Sequence, residues 1–274
     1  MNSNRFTNGA LGVLAWGVAL LIFFPILWLL LTSFKTEQQA FTVVPNFFFS
    51  PTLESFKMAL AQGSGYWHYA WNSALTAVAS TVIGLALAVP AAYAMAFYPN
   101  KRTDFLLVWM VSTKFIPAVG VLIPIYLVYS AVGLLDNALG LTLLFTAMNL
   151  PIIVWMVYSY FRDIPKDIVE AADIDGASIM QTLFKVVLPL ALPGLASTGL
   201  LALILAWNES FWSITMTDHR AATLAVYIAS FKSAEGLFWA KMSAASVLAI
   251  APIIVLGWFT QRQMVRGLTF GAVK

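Results

Sequence analysis

Six long stretches of this chain carry almost no charge: residues 6–34, 69–100, 115–135, 137–161, 186–208 and 242–261. A helix rises about 1.5 Å per residue, and roughly 20 apolar residues cross the hydrocarbon layer of a bilayer. The pattern predicts six membrane-spanning helices, over residues 11–32, 72–97, 105–129, 138–160, 189–207 and 242–261. The fold class it implies is all-α: one polytopic transmembrane domain over residues 1–274. The first run is too long for a cleaved leader, and no small-residue cleavage site follows it. Every run also contains proline (Pro25, Pro90, Pro117, Pro124, Pro151, Pro193, Pro252), and each proline removes a backbone donor and tends to bend its helix.

Between the first two runs lies an outer segment longer than most loops. Within it Leu53, Phe56 and Leu60 recur at helical spacing with Glu54 and Lys57 off that face, which predicts a short amphipathic helix on the membrane surface. The aromatic groups at 47–49 and 66–71 belong at headgroup depth.

Composition supports the membrane reading. Hydrophobic residues make up 61% and charged residues 10%, against roughly 25% charged in a soluble domain. The net charge of +3 reflects placement. With the N-terminus inside, cytoplasmic segments hold Arg5, Lys101, Arg102, Arg162, Lys166, Lys185, Arg262, Arg266 and Lys274. Outer segments hold Lys35, Lys57, Arg220, Lys232 and Lys241. That bias places both termini in the cytoplasm. No basic stripe supports nucleic-acid binding. Cysteine is absent, which removes disulfides, thiol nucleophiles and thiolate metal sites. His68 and His219 lie in outer segments with no partner at metal or catalytic spacing.

One polar insert interrupts the apolar pattern, at 162–188, between the fourth and fifth spans. Pro165 suits a first helical position, and Asp167 and Glu170 place negative charge in the first turns. Gly176 marks a helix stop. Ser178 and Gln181 then have the spacing of a capping box. The insert reads as helix, glycine corner, second short helix, and re-entry at Pro189. A first helix of about ten residues is marginal alone in water. Its side bearing Ile164, Ile168, Ala171 and Ala172 suits either a groove on a partner or packing against its own bundle.

The run Glu170-Ala171-Ala172, three residues, Gly176, nine residues, then Val186-x-Leu188-Pro189 resembles the EAA loop of ABC importer permeases, with Val186 where the family pattern has Ile. The tail from Gln261 to Lys274 resembles that of carbohydrate permeases of the maltose MalG type, and Asn72-Ser73 fits the same family. The overall look is nearest to permeases for sorbitol and mannitol. The resemblance implies a permease subunit of an ATP-binding-cassette importer that moves a sugar or sugar alcohol across the bacterial inner membrane. It implies a second permease subunit in a heterodimer, two ATPase subunits and a solute-binding protein. Glu170, Ala171, Ala172, Asp175, Gly176, Leu188 and Pro189 would couple to the ATPase, and Arg262, Gly267 and Gly271 in the tail would make a second contact with it. The chain has no G-x-x-x-x-G-K-[ST] phosphate loop, so ATP and Mg would be held by the partners.

Candidates for the translocation path are Lys114 and Asn149. A lysine deep in a span is costly; it either faces a cavity or neighbouring helix, or snorkels inward. Asn149 either meets substrate hydroxyls or joins helices. Asn208 and Glu209 read as a cap at the outer end of the fifth span. Competing readings are a permease for another solute, such as an oligosaccharide or glycerol phosphate, and an ion-coupled secondary carrier. The carrier would need an acidic relay inside the spans, and the six runs provide none.

Overall fold

The computed structural model describes residues 3–269 apart from Val43, Gln62, Ser64, Ala234 and Glu235. In chain order the helices are α1 (Ser3–Ser33), α2 (Glu37–Ala40), α3 (Glu54–Leu60), α4 (Tyr66–Phe97), α5 (Thr103–Ser112), α6 (Ala118–Ala131), α7 (Ala138–Arg162) and α8 (Lys166–Ile174). There follow α9 (Ile179–Gln181), a π-helical stretch (Thr182–Val187), α10 (Leu188–Trp207), α11 (Phe211–Met216) and α12 (Leu224–Ser230). Strands β1 (Lys232–Ser233) and β2 (Gly236–Leu237) form a small antiparallel hairpin, and α13 (Trp239–Thr269) ends the described chain.

Among the described residues five helices are long and apolar enough to cross a membrane, and α5 with α6 makes a sixth candidate. The all-α expectation holds, with four differences from the spans read off the sequence. The second begins at Tyr66 rather than 72. The third is broken: α5 runs into a 3-10 turn at Thr113–Phe115, and α6 leaves it at 94°. Pro117 stands at the break in extended backbone (φ −60°, ψ 130°), because it can neither donate to the preceding turn nor let Ile116 stay helical. The fifth runs unbroken from Ile179 to Trp207, so the insert shrinks at its C-terminal side. Pro189 has no N–H for the carbonyl one turn back, and the π stretch just ahead of it widens the ladder, with Leu188 N–H donating five residues back to Leu183. The sixth continues to Thr269, eight residues past the end expected at 261.

The chain divides into two compact units. One comprises residues 1–66 and 227–251. In it the N–H groups of Ala240 and Lys241, at the start of α13, donate to Glu37 at 3.1 and 2.9 Å, so a carboxylate caps that helix. The Tyr227 hydroxyl donates to the carbonyl of Ala59 at 3.3 Å. Helix α3 forms as expected, but its buried residues are Ser55 and Ala59, while Leu53 and Leu60 are exposed. Small residues let the backbone approach closely, and the larger apolar ones are left facing outward as an interfacial helix requires.

The second unit, residues 67–226 and 252–274, holds the main core. Val89, Ala92 and Tyr93 of α4, Leu107 of α5, Ile153, Val157 and Phe161 of α7, and Ala191, Leu195 and Ala202 of α10 form one buried cluster. Glycine allows the helices to approach this closely. A Cβ at Gly194 would stand 2.4 Å from the Tyr160 ring, and one at Gly84 would stand 2.7 Å from Ile153 Cδ1. Small residues at such crossings are the usual means of bringing membrane helices together. Gly194→Ala is expected to cost about 1–3 kcal/mol through overpacking, read as a lower thermal midpoint of the purified protein.

Candidate functional site

The polar insert forms a helical hairpin. Pro165 is the N-cap of α8 and not its first residue; its fixed φ starts the helix from outside. The helix closes on Gly176, whose φ of +76° is the left-handed conformation glycine adopts freely. Ala177 N–H donates to Ala172 C=O at 3.0 Å and Gly176 N–H to Asp173 C=O at 3.1 Å, which closes the helix end with a six-to-one bond. The capping box expected after it is present: Gln181 N–H meets Ser178 Oγ at 3.4 Å, and Ser178 N–H meets Gln181 Oε1 at 2.9 Å.

The two sides of α8 divide sharply. Val169 is buried in the same cluster as Phe161, Leu183 and Val187, with Ile164 and Leu188 packed against it. On the other side Ile168, Ala171 and Ile174 are exposed, Ile174 by 86%, and Ile179 and Met180 extend the apolar surface across the corner. The face read from the sequence therefore changes in part: Ile164 and Ala172 turn partly inward, and Ile174, Ile179 and Met180 join the outer surface. Glu170 is exposed and forms no hydrogen bond or ion pair among the described residues. Asp175 caps the C-terminal end of α8, and Pro189 lies in the first turn of α10. Arg262 and Gly267 fall on the backbone of α13, whereas Gly271 lies outside the described residues.

The path candidates separate. Lys114 stands in the 3-10 turn at the α5–α6 break and donates from Nζ to the carbonyl of Met148 on α7 at 2.9 Å. Pro151, three residues on, lacks the N–H that would reach the carbonyl of Ala147, the residue before Met148, so the α7 ladder is weakened beside this contact. Lys114 thus bridges helices rather than snorkelling. It also lines a cavity of about 250 Å³ with Thr113, Ile125, Leu144 and Trp212. Trp212 is buried, and its Nε1–H has no acceptor among the described residues. Glu209 borders the same place. Its Oε1 accepts from Trp212 N–H at 3.2 Å, so it caps α11. Asn149 is buried on α7, next to Met148, but does not line this cavity.

At the far end of α7 a second polar construction appears. Asp136, in the left-handed region at φ 48°, accepts from the N–H groups of Asp218, His219, Arg220 and Ala221 at 3.0–3.3 Å. Its own N–H donates to Met216 C=O at 2.9 Å. From α4, Asn72 Nδ2 donates to the carbonyls of Arg220 and Ala222, both at 2.9 Å, and Ser73 Oγ accepts from Leu224 N–H at 2.8 Å. Segment 217–224 is thereby held by side chains from α4 and from the turn between α6 and α7. His68 and His219 are linked through a backbone carbonyl at 3.0 Å, and no metal-ligating cluster occurs among the described residues.

Residues 88–265 match the family model described as binding-protein-dependent transport system inner membrane component. The chain belongs to that family. Among its relatives is the sulfoquinovosyl glycerol transport system permease protein SmoH of Agrobacterium fabrum, 35% identical over 92% of this chain and 88% of that protein. Another is the trehalose/maltose transport system permease protein MalG of Thermococcus litoralis, 32% identical over 94% of this chain and 93% of that protein. A solved bacterial ABC transporter involved in the import of the acidic polysaccharide alginate superposes with a TM-score of 0.78 at 25% identity, over 96% of this chain and 98% of that one.

In this inner-membrane component the hairpin residues come together as one element, whereas Lys114 and Asn149 do not share a site. The sequence reading missed Val169 as the anchor of α8 and Trp212 as a cavity wall. It also missed Asp136, whose one local signal was its place after Gly133 in the turn between the third and fourth spans.

Proposed function

We propose that the chain is one of two transmembrane subunits of an ATP-driven importer for a sugar or sugar alcohol, and that the α8 hairpin is its coupling element. The observation that carries this reading is the division of α8. Its exposed ridge, Ile168-Ala171-Ile174, is shaped for an external groove, with anchors one turn apart. Its buried side, through Val169, is part of the core shared by α4, α5, α7 and α10. A partner that shifts the ridge must move packed spans with it. Moving a gate from 1:99 to 99:1 takes roughly 5.5 kcal/mol of differential binding, and a packed helical connection can carry such a bias. ATP and Mg belong to two ATPase partners on the cytoplasmic side, where both termini and the hairpin lie. A solute-binding protein delivers substrate from the other side, and a second permease completes the pathway as a heterodimer. The carbohydrate names of the relatives support the substrate class.

Lys114, at the helix break, is the polar group this subunit offers to the path. Lys114→Met is expected to raise the KM for uptake about tenfold, the weight of one charge-assisted hydrogen bond. The function is tested by purifying the chain with its partners, reconstituting the complex in vesicles and measuring uptake with competing sugars and polyols. ATP-dependent uptake blocked by those competitors is expected. Uptake driven by a proton gradient without ATP would refute the reading.

A further inference from the structure

Lys35 lies two residues beyond the end of α1 and is 1% exposed. Its ammonium stands 4.2 Å from the centroid of the Trp28 ring and 5.0 Å from that of Phe49. It has three donors, yet among the described residues it meets no carboxylate within 4.0 Å and no hydrogen-bond acceptor. The nearest acid in sequence, Glu37, is committed to the start of α13. Aromatic rings offset part of the cost of desolvating an ammonium but supply no counter-charge, and burial pushes the Lys35 amine below its ordinary pKa.

The same lysine lines a cavity of about 520 Å³. Its walls reach from Pro25, inside the span, to Lys35 and Pro45 beyond it, with Trp28, Leu29 and Trp239 between. Eight residues of helix, about 12 Å, separate Pro25 from the end of α1 at Ser33, and Lys35 lies two residues beyond that. The apolar end therefore stands at hydrocarbon depth and the ammonium at the depth of lipid headgroups. Phosphate joined to an acyl chain matches that gradient; a free anion matches only one end of it. We propose that this cavity is a phospholipid site in which Lys35 pairs with the lipid phosphate and the apolar walls hold the upper acyl chain. The site does not depend on the transported solute.

The test is native mass spectrometry of the complex as purified from membranes, delipidated and then titrated with phosphatidylglycerol, with diacylglycerol or with inorganic phosphate. Wild type and Lys35→Arg should retain phosphatidylglycerol, and Lys35→Met should retain about tenfold less. Diacylglycerol, which has the chains without the phosphate, should not be retained, and inorganic phosphate should not displace the lipid. Equal retention of phosphatidylglycerol by wild type and Lys35→Met would overturn the proposal. So would equal retention of diacylglycerol by wild type, a comparison that needs no variant to fold, or displacement by inorganic phosphate alone.

Discussion

Gly176→Val is expected to leave the chain in the membrane and to lower ATP-driven uptake more than tenfold, while the assembled complex still hydrolyses ATP. No atom stands within 4 Å of the place a Cβ would take at Gly176, so the substitution creates no clash with neighbouring elements. Its cost is in the backbone. At φ +76° an L-residue loses about 1–2 kcal/mol, and a β-branched one is a genuine outlier there. The chain relieves that cost by leaving the left-handed region. Doing so breaks the bond from Ala177 to Ala172 and changes the angle at which α8 meets the long helix starting at Ile179. The ridge is then misaimed, but the core beneath it is untouched. Asn tolerates this conformation better than Ala, and Ala better than Val, so uptake should fall in the order Gly, Asn, Ala, Val. Paired assays of uptake and ATP hydrolysis check the series. Normal uptake by the valine variant would count against a coupling role for the corner.

Asp136→Ala is expected to destabilise the protein by about 2–4 kcal/mol, because four backbone N–H groups lose a charged acceptor together and water can reach only some of them. The effect concentrates in 217–224, which would keep its contacts with His68, Asn72 and Ser73 of α4. The pH dependence has a definite sign. Burial by itself would raise the Asp136 carboxyl, but the four N–H donors outweigh it and hold its pKa below the usual 3.8. A carboxylate depressed on folding stabilises the fold fully above its unfolded value, and that contribution is lost as pH falls through the lower folded value. Thermal midpoints measured from neutral pH down to about pH 3 should therefore converge between wild type and Asp136→Ala at the acid end. Asp136→Asn keeps one acceptor oxygen and should be intermediate at neutral pH, without the acid-dependent component. A wild type and alanine variant with parallel profiles would contradict the clamp.

The spans were legible because each needs a long run free of charge, a constraint the bilayer imposes on composition alone. Their joints were not. Pro117 predicts a bend, but 94° arises from Pro117 acting with the 3-10 turn at Thr113–Phe115, and a list of prolines does not contain that combination. Pro189 read as a helix start, whereas a π stretch carries the ladder past it; that solution needs a bond from Leu188 to Leu183. In α8 apolar residues occur on both sides, so composition did not fix which side is buried; the packing of Val169 with Phe161 and Leu183 decided it. Asp136 was least visible. Its donors lie 82–85 residues away, and nothing near it in sequence announces them. Gly176 and the Ser178–Gln181 box, by contrast, are local devices, and the structure places both as their chemistry requires.

The account is tested most directly by crosslinking from the exposed ridge. The chain has no cysteine, so Ile174→Cys introduces a unique thiol on this subunit. In the active complex a short bifunctional reagent should join it to an ATP-hydrolysing partner, with a yield that changes when ATP is added. Crosslinks that return only to this chain would contradict the account.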